Sequence, residues 1–366
     1  MEEHFTKLDF KNEELATRQR SEPIFDIQKQ FKTIGEYTID FSQFLGKGKY
    51  GEVYNAHKSK EYKDDKRYAC KIIKANLVEE QQNILNEKLQ QGNNFDEQEF
   101  VKNYLSKQIQ QEIDSLMLVK SHYTIQLIKA YKAKSGHYLI TELCNGGSLQ
   151  NLLKLRGRFQ EEQARMIFKQ IINGIFDMHS MDIIHRDLKL ANILLNFPEN
   201  NIKTLSKQQK QEFLRDFDME KVKLEVKISD FGFSKTITVQ TKKKKHTICG
   251  TPAYMAPDLQ IGNNRQYSNK IDIWALGIIF YELLVGVNPF QGNNSNGFKK
   301  KLKQGVFIIP DDVQISAKAI SLISRCLQYE EDQRISIKEF IKDEYFDNQY
   351  QLSRDFDFMQ YLPKQL

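Results

Sequence analysis

From Tyr37 onward the apolar residues come in short runs separated by glycines or charges. Phe41, Phe44 and Leu45 precede Gly46, Val53, Tyr54 and Ala56 follow, and then come residues 68–73. Short runs rich in aromatic and β-branched side chains, with turn residues between them, predict an antiparallel meander. Helical spacing takes over at Ile109, Ile113, Leu116 and Leu118. Two more strands are expected at 125–131 and 137–142. After Gly146-Gly147 the period becomes helical again. Over 161–179, Ile167, Ile171, Ile175 and Met178 share one face, which predicts an amphipathic helix. Strands are expected at 193–195 and 224–228, and helical segments continue to about Phe346. The longest apolar run, 271–287, contains Asp272 and Glu282. It is too short and too charged for a membrane span and reads as a buried helix.

The polar stretches set the organisation. Residues 1–36 read as a polar tail and 347–366 as a second one. Residues 75–108, rich in Gln, Asn and Glu, read as an insertion, and so do 196–221; a basic run occupies 242–245. The expected fold is α+β and two-lobed. An antiparallel-sheet N-lobe with one main helix covers about 37–142, and a mainly helical C-lobe covers about 146–346, with a joint near 143–147. With 40% hydrophobic and 11% aromatic residues, the chain can bury a sizeable core. The net charge of +6 suits an anionic ligand and does not argue for nucleic acid. The four cysteines form no C-x-x-C pair, so reduced thiols are expected instead of a disulfide framework or zinc site. The first residues are charged and lack an apolar core, unlike a secretory signal. A monomer of the cytoplasm or nucleus is the expectation.

Five blocks carry chemistry. The first is Gly46-Lys47-Gly48-Lys49-Tyr50-Gly51 followed by Glu52 and Val53. Glycines let a backbone turn tightly and approach phosphate oxygens without a Cβ in the way. Alone the pattern also fits an ordinary hairpin turn or a dinucleotide-binding fingerprint. The latter needs a helix after the last glycine, where this sequence continues as a strand. The second block is Tyr68-Ala69-Cys70-Lys71-Ile72, with a lysine alternating with apolar neighbours. The third is His185-Arg186-Asp187-Leu188-Lys189-Leu190-Ala191-Asn192, the fourth Asp230-Phe231-Gly232, and the fifth Gly250-Thr251-Pro252 leading to Ala256-Pro257-Asp258. Six fixed residue types in the third block alone arise by chance on the order of once in 10⁵ chains. All five in order cannot be accidental.

With these blocks, residues 37–346 resemble the eukaryotic protein kinase family. The form of Asp230–Lys235 and of Leu143–Leu149 is similar to calmodulin-dependent or autophagy-initiating kinases. The resemblance implies phosphoryl transfer from ATP with Mg²⁺, in which positioning and charge stabilisation dominate. It implies that the Gly46–Gly51 loop covers the phosphates and that Lys71 holds the α- and β-phosphates, paired with a helical glutamate. Glu112 is the expected partner, Glu99 the alternative. Asp187 is the expected base or positioner for the acceptor hydroxyl, and Lys189 would neutralise the γ-phosphate. Asn192 and Asp230 would hold Mg²⁺. Backbone groups of Glu142 and Cys144 would bond the adenine, which Val53, Ala69 and Leu194 would sandwich. Thr141, a small residue, would guard the back of the pocket. Leu116, Leu127, His185 and Phe231 match a stack that joins the lobes, anchored by Asp272.

Lys189 and the Gly250–Pro257 form favour serine or threonine over tyrosine as acceptor, with protein substrates as partners. Ser148 and Ala191 stand where basophilic relatives often place acids, so no strong upstream arginine requirement is expected. Thr247 stands where many relatives are phosphorylated, by an upstream kinase, and Arg186 with Lys235 would receive the phosphate. The family's Ala-Pro-Glu is Ala256-Pro257-Asp258 here, which implies a shorter reach to its expected partner, Arg334. Residues 356–361 read as a disordered end, with docking on a lobe as the alternative. Two rivals remain at this level: a non-catalytic scaffold of the same fold and a nucleotide-binding dehydrogenase.

Overall fold

The computed structural model describes residues 30–48, 51–59, 66–74, 97–200, 202, 205–236, 250–260, 268–290 and 307–346. A six-stranded antiparallel sheet, in the order β1-β2-β3-β4-β6-β5, forms the N-lobe. Its strands are β1 (Phe31–Ile34), β2 (Tyr37–Lys47), β3 (Glu52–Lys58), β4 (Arg67–Lys74), β5 (Leu127–Ala133) and β6 (Gly136–Glu142). β1 corrects the reading of residues 1–36 as tail. It joins β2 through a two-residue turn, Gly35-Glu36, with Ile34 opposite Tyr37 and Gly35 at φ +54. Four residues between tail and turn carry too little pattern to be seen as a strand; pairing with β2 makes them one.

Helix α1 (Glu97–Leu118) packs beneath this sheet. It begins inside the stretch read as an insertion. Of the four apolar positions expected in its C-terminal half, Ile109, Ile113 and Leu116 are buried, and Leu118, the last residue of the helix, is 47% exposed.

The C-lobe holds α2 (Leu149–Arg156), α3 (Glu161–Ser180), α4 (Lys207–Asp216), α5 (Pro257–Gln260), α6 (Lys270–Val285), α7 (Ala317–Cys326) and α8 (Ile337–Phe340). Two small sheets accompany them: β7 (Gly147–Ser148) with β9 (Ile193–Asn196) and β10 (Glu225–Ile228), and β8 (Ile183–Ile184) with β11 (Lys235–Thr236). Every side chain from Ile271 to Val285 is buried, which is why α6 shows no polar face. Phe168 of α3 stacks on Phe280 of α6, ring centroids 4.3 Å apart, and this pair centres the core. Among the described residues no helix is long and apolar enough to cross a membrane. Cys70, Cys144 and Cys326 are free thiols.

The stretch 196–221 is not simply a polar insertion. It contains α4 and buries Phe197, Ile202, Leu214, Phe217 and Met219. Its apolar residues are too sparse along the chain to show a period; they meet only once it folds back on α2.

Candidate active site

Strand pairing builds one wall of the cleft between the lobes. Val53 lies opposite Lys71, and Lys71 opposite Leu139. Ala69 lies opposite Thr141. Because side chains alternate along a strand, Ala69 and Lys71 share a face, and their partners Val53 and Thr141 share it with them. The β2–β3 hairpin closes with a bond from Gly48 N to Gly51 O of 2.8 Å. A Cβ on Gly48 would stand 4.0 Å from Asp230 Oδ2, so the loop reaches over that carboxylate. A Cβ on Gly51 would lie 2.0 Å from Ile72 O, which leaves glycine as the residue that fits there. Lys49 and Tyr50 lie outside the described residues.

Lys71 Nζ donates to Glu112 Oε1 at 2.5 Å and to Asp230 Oδ1 at 3.2 Å. Glu112 is therefore the partner of Lys71. Glu99 sits near the start of α1, and its side chain lies outside the described residues. Burial alone would drive the ammonium toward neutrality. The charges of Glu112 and Asp230 outweigh it and hold the Lys71 pKa well above the ordinary lysine value. Burial likewise opposes ionisation of Asp230, and Lys71 more than offsets it, keeping that carboxyl below its usual range.

Asp187 is 5% exposed, and both its oxygens are engaged. Lys189 Nζ donates to Oδ2 at 2.7 Å, and Thr251 Oγ1 donates to Oδ1 at 2.7 Å. Lys189 also reaches Thr251 Oγ1 at 2.8 Å. Asn192 Nδ2 donates to the Asp187 carbonyl at 2.8 Å, which fixes the amide and leaves its oxygen as the acceptor end. Ser229 N and Oγ both donate to Asn192 O, at 2.8 and 2.9 Å, tying the third block to the fourth.

Asp272 holds this assembly from below. Its Oδ2 accepts His185 N at 2.9 Å and His179 Nε2 at 2.9 Å, and its Oδ1 accepts Arg186 N at 3.0 Å. Burial penalises its charge, but these donors prevail and hold its pKa below the usual value. Arg186 (φ 67) and Asp230 (φ 63) sit in the left-handed region, a conformation that non-glycine residues keep only when neighbours impose it. His185 and Phe231 lie 5.8 Å apart, with Leu116 and Leu127 packed in the same core.

At the joint, the Glu142 carboxylate accepts from Gln126 N at 2.9 Å and pairs with the buried Lys227 at 3.5 Å. Leu194 lies on β9, opposite Ser148 of β7. Sequence reading missed His179 and Lys227. A histidine in the last turn of α3 and a lysine alternating on a strand are the sole local traces of them, and neither is informative without its partner. Thr247 and the side chain of Asp258 lie outside the described residues. Arg334 donates to the carbonyls of Gln328, Tyr329 and Lys270 and lies 5.2 Å over the Trp274 ring.

Residues 39–346 match the protein kinase domain family. The chain is 33% identical to CBL-interacting protein kinase 31 of Oryza sativa subsp. japonica, over 70% of this chain and 51% of the relative. It is 32% identical to serine/threonine-protein kinase 33 of Bos taurus, over 67% of this chain and 46% of the relative. A probable cell cycle serine/threonine-protein kinase CDC5 homolog of Encephalitozoon cuniculi (strain GB-M1) is 29% identical over 78% of this chain and 49% of the relative. The chain thus spans about half the length of the curated relatives it matches. With the family match covering most of its length and the catalytic blocks converging in one cleft, the chain belongs to the eukaryotic serine/threonine protein kinase family.

Proposed function

We propose that this chain transfers the γ-phosphoryl group of ATP to serine and threonine hydroxyls of protein substrates. The observation that carries the reading is the pair of linked clusters in one cleft, Lys71–Glu112–Asp230 and Asp187–Lys189–Thr251. Among the described residues no group of three or more His, Cys, Asp or Glu side chains forms a metal site. A carboxylate from Asp230 and an amide oxygen from Asn192 fit Mg²⁺, which is bound through few protein oxygens and completes its shell with phosphates and water. Gly48 faces the Asp230 carboxylate across open space, where a Cβ would stand 4.0 Å from Oδ2. When bound, Mg²⁺ neutralises phosphate charge.

In this reading, Lys71 binds the α- and β-phosphates from a position that Glu112 fixes. Val53, Ala69 and Leu194 enclose the adenine, and backbone groups of Glu142 and Cys144 bond its edge. Asp187 Oδ1, now accepting from Thr251, accepts the acceptor hydroxyl's proton or orients that hydroxyl for attack. Lys189, within reach of both Asp187 and Thr251, stabilises charge on the transferring group. The test is turnover of a serine/threonine peptide array by purified protein with Mg·ATP. Asp187→Asn is expected to lose about 10²- to 10⁴-fold in turnover while Mg·ATP still raises its melting temperature. Activity retained in that variant would overturn the role of Asp187. A melting temperature that responds to NAD and not to Mg·ATP would overturn the kinase reading.

Regulation follows the same chemistry. Phosphate on Thr247 would add about −1.5 to −2 charges and pair with Arg186 and Lys235, raising activity. Equal turnover by a Thr247→Ala variant and by the Thr247-phosphorylated protein would refute this control.

A further inference from the structure

Strands β9 and β10 pair with Asn196 directly opposite Glu225, so a tight turn would suffice to join them. The chain instead leaves at Phe197, builds α4 and returns. The excursion is unnecessary for the strand pairing, and its best-packed part lies against the joint between the lobes.

The contact begins at Asn145, the residue after Cys144. Asn145 is 8% exposed and makes a reciprocal pair with Phe197. Its Nδ2 donates to Phe197 O at 3.0 Å and to Asn200 O at 3.4 Å, and its Oδ1 accepts Phe197 N at 2.8 Å. The next residue, Gly146, donates its N–H to Leu195 O at 2.8 Å. The Phe197 ring is so close above Gly146 that a Cβ there would meet Cε2 at 2.6 Å. The ring is held in turn by Phe213 and Phe217, centroids 5.2 and 5.0 Å away, each edge to face. Arg156, at the end of α2, lies 4.1 Å over Phe217 and donates to Leu214 O and Phe217 O at 3.0 and 2.8 Å. These two bonds satisfy carbonyls at the C-terminal end of α4, where a cation is also favoured by the helix dipole.

The structure assigns Asn145 as a positioning residue for the nucleotide, with the 197–217 excursion as its buttress. This inference rests on the kinase reading. In that reading the adenine lies between the backbone of 142–144 and Leu194 on β9. The spacing between those two surfaces is set by Asn145, Gly146 N and the short β7–β9 pairing, the last spanning two residues on β7. Removing the Asn145 side chain releases one of these ties and leaves the buried N–H of Phe197 unpaired, while its carbonyl keeps the bond from Asn200 N at 3.3 Å. The groups at the γ-phosphate are untouched.

The expected signature is therefore a split. Asn145→Ala raises KM for ATP and Kd for ADP about five- to tenfold, the scale of one lost hydrogen-bonded pair, with kcat within about twofold. Asn145→Asp keeps the bond from Phe197 N but sets a carboxylate oxygen against the carbonyls of Phe197 and Asn200, so it shifts KM and Kd at least as far as Asn145→Ala. Phe213→Ala, remote from the nucleotide, shifts KM in the same direction, and the double variant with Asn145→Ala shifts it less than additively. If Asn145→Ala does not fold, Asn145→Asp and Phe213→Ala decide by the same criterion. A lowered melting temperature with KM and Kd unchanged would make the contact a fold brace only and overturn the inference. Wild-type protein that binds ADP but transfers no phosphoryl group would instead defeat the kinase reading; the Kd arm would still stand.

Discussion

Glu282 is a carboxylate inside an apolar helix, 7% exposed, accepting from Tyr254 Oη at 2.7 Å and from Asn288 Nδ2 at 3.3 Å. Those two donors favour its charge, but burial is stronger and pushes its pKa up from 4.5 to about 7. Below about pH 4.5 the group is protonated whether the chain is folded or not. Between 4.5 and 7 the unfolded chain releases the proton while the folded one keeps it. The unfolded state then binds fewer protons, so stability falls as pH rises through that window. A Glu282→Gln variant lacks this titration. The melting temperature of wild type minus that of Glu282→Gln should therefore decrease from pH 5 to pH 8, by the equivalent of about 1–3 kcal/mol. Melting curves that run parallel over that range would show that Tyr254 and Asn288 keep the carboxylate charged throughout. The same contact ties Tyr254 to α6, so residues 252–254 beside Thr251 inherit any loosening of the Glu282 contact.

At the scale of elements, the glycine loop depends on how tightly β3 and β4 approach. Gly51 is buried, and a Cβ there would collide with the Ile72 carbonyl carbon at 2.8 Å as well as its oxygen. Gly51→Ala must separate the strands next to Val53 and Lys71, which are paired across them. The expected outcome is a KM for ATP raised at least about tenfold, with a lower melting temperature, since overpacking costs about 1–3 kcal/mol. An unchanged KM would mean that the loop adjusts independently of β4. This hairpin was legible in the sequence because its glycines, the alternation around Lys71 and the strand after Gly51 are all local. So were α3 and α6, whose periodicity or uniform apolarity spans many residues. β1 and α4 were not. Phe31 to Ile34 acquire meaning opposite β2, and Phe197, Phe213 and Phe217 form a cluster after a turn of the chain that no period announces. For the site, the catalytic blocks were readable as contiguous strings, whereas His179, Lys227 and Asn145 matter through partners distant along the chain.

At the scale of the molecule, one buried carboxylate links the core of the C-lobe to the loop that carries Asp187 and, through His185 and Phe231, to the N-lobe. Asp272 stands in the first turn of α6, 1% exposed, with three donors on two oxygens. His185, whose backbone it holds, donates through Nε2 to Ser229 O at 3.0 Å and lies against Phe231. Phe231 is packed with α1, the helix that carries Glu112. Replacing Asp272 with asparagine keeps the volume but turns one acceptor oxygen into an N–H₂ donor facing a donor. Either the His185 N bond or the Arg186 N bond must be lost, whereas His179 Nε2 can accept from the amide in its other tautomer. If it is Arg186 N, its left-handed backbone loses the acceptor that imposes it, and Asp187, the next residue, moves with it. Hydrogen bonds to a charged group are worth about 1.5–3 kcal/mol, so Asp272→Asn should reduce kcat on the order of 10- to 100-fold. KM for ATP should change little, because the proposed adenine contacts and Lys71 lie on other elements. The same variant should melt at lower temperature. Steady-state kinetics on folded protein test the claim: a fall in kcat without a matching rise in KM is expected. A rise in KM with kcat intact would show that the link runs to the nucleotide and not to Asp187.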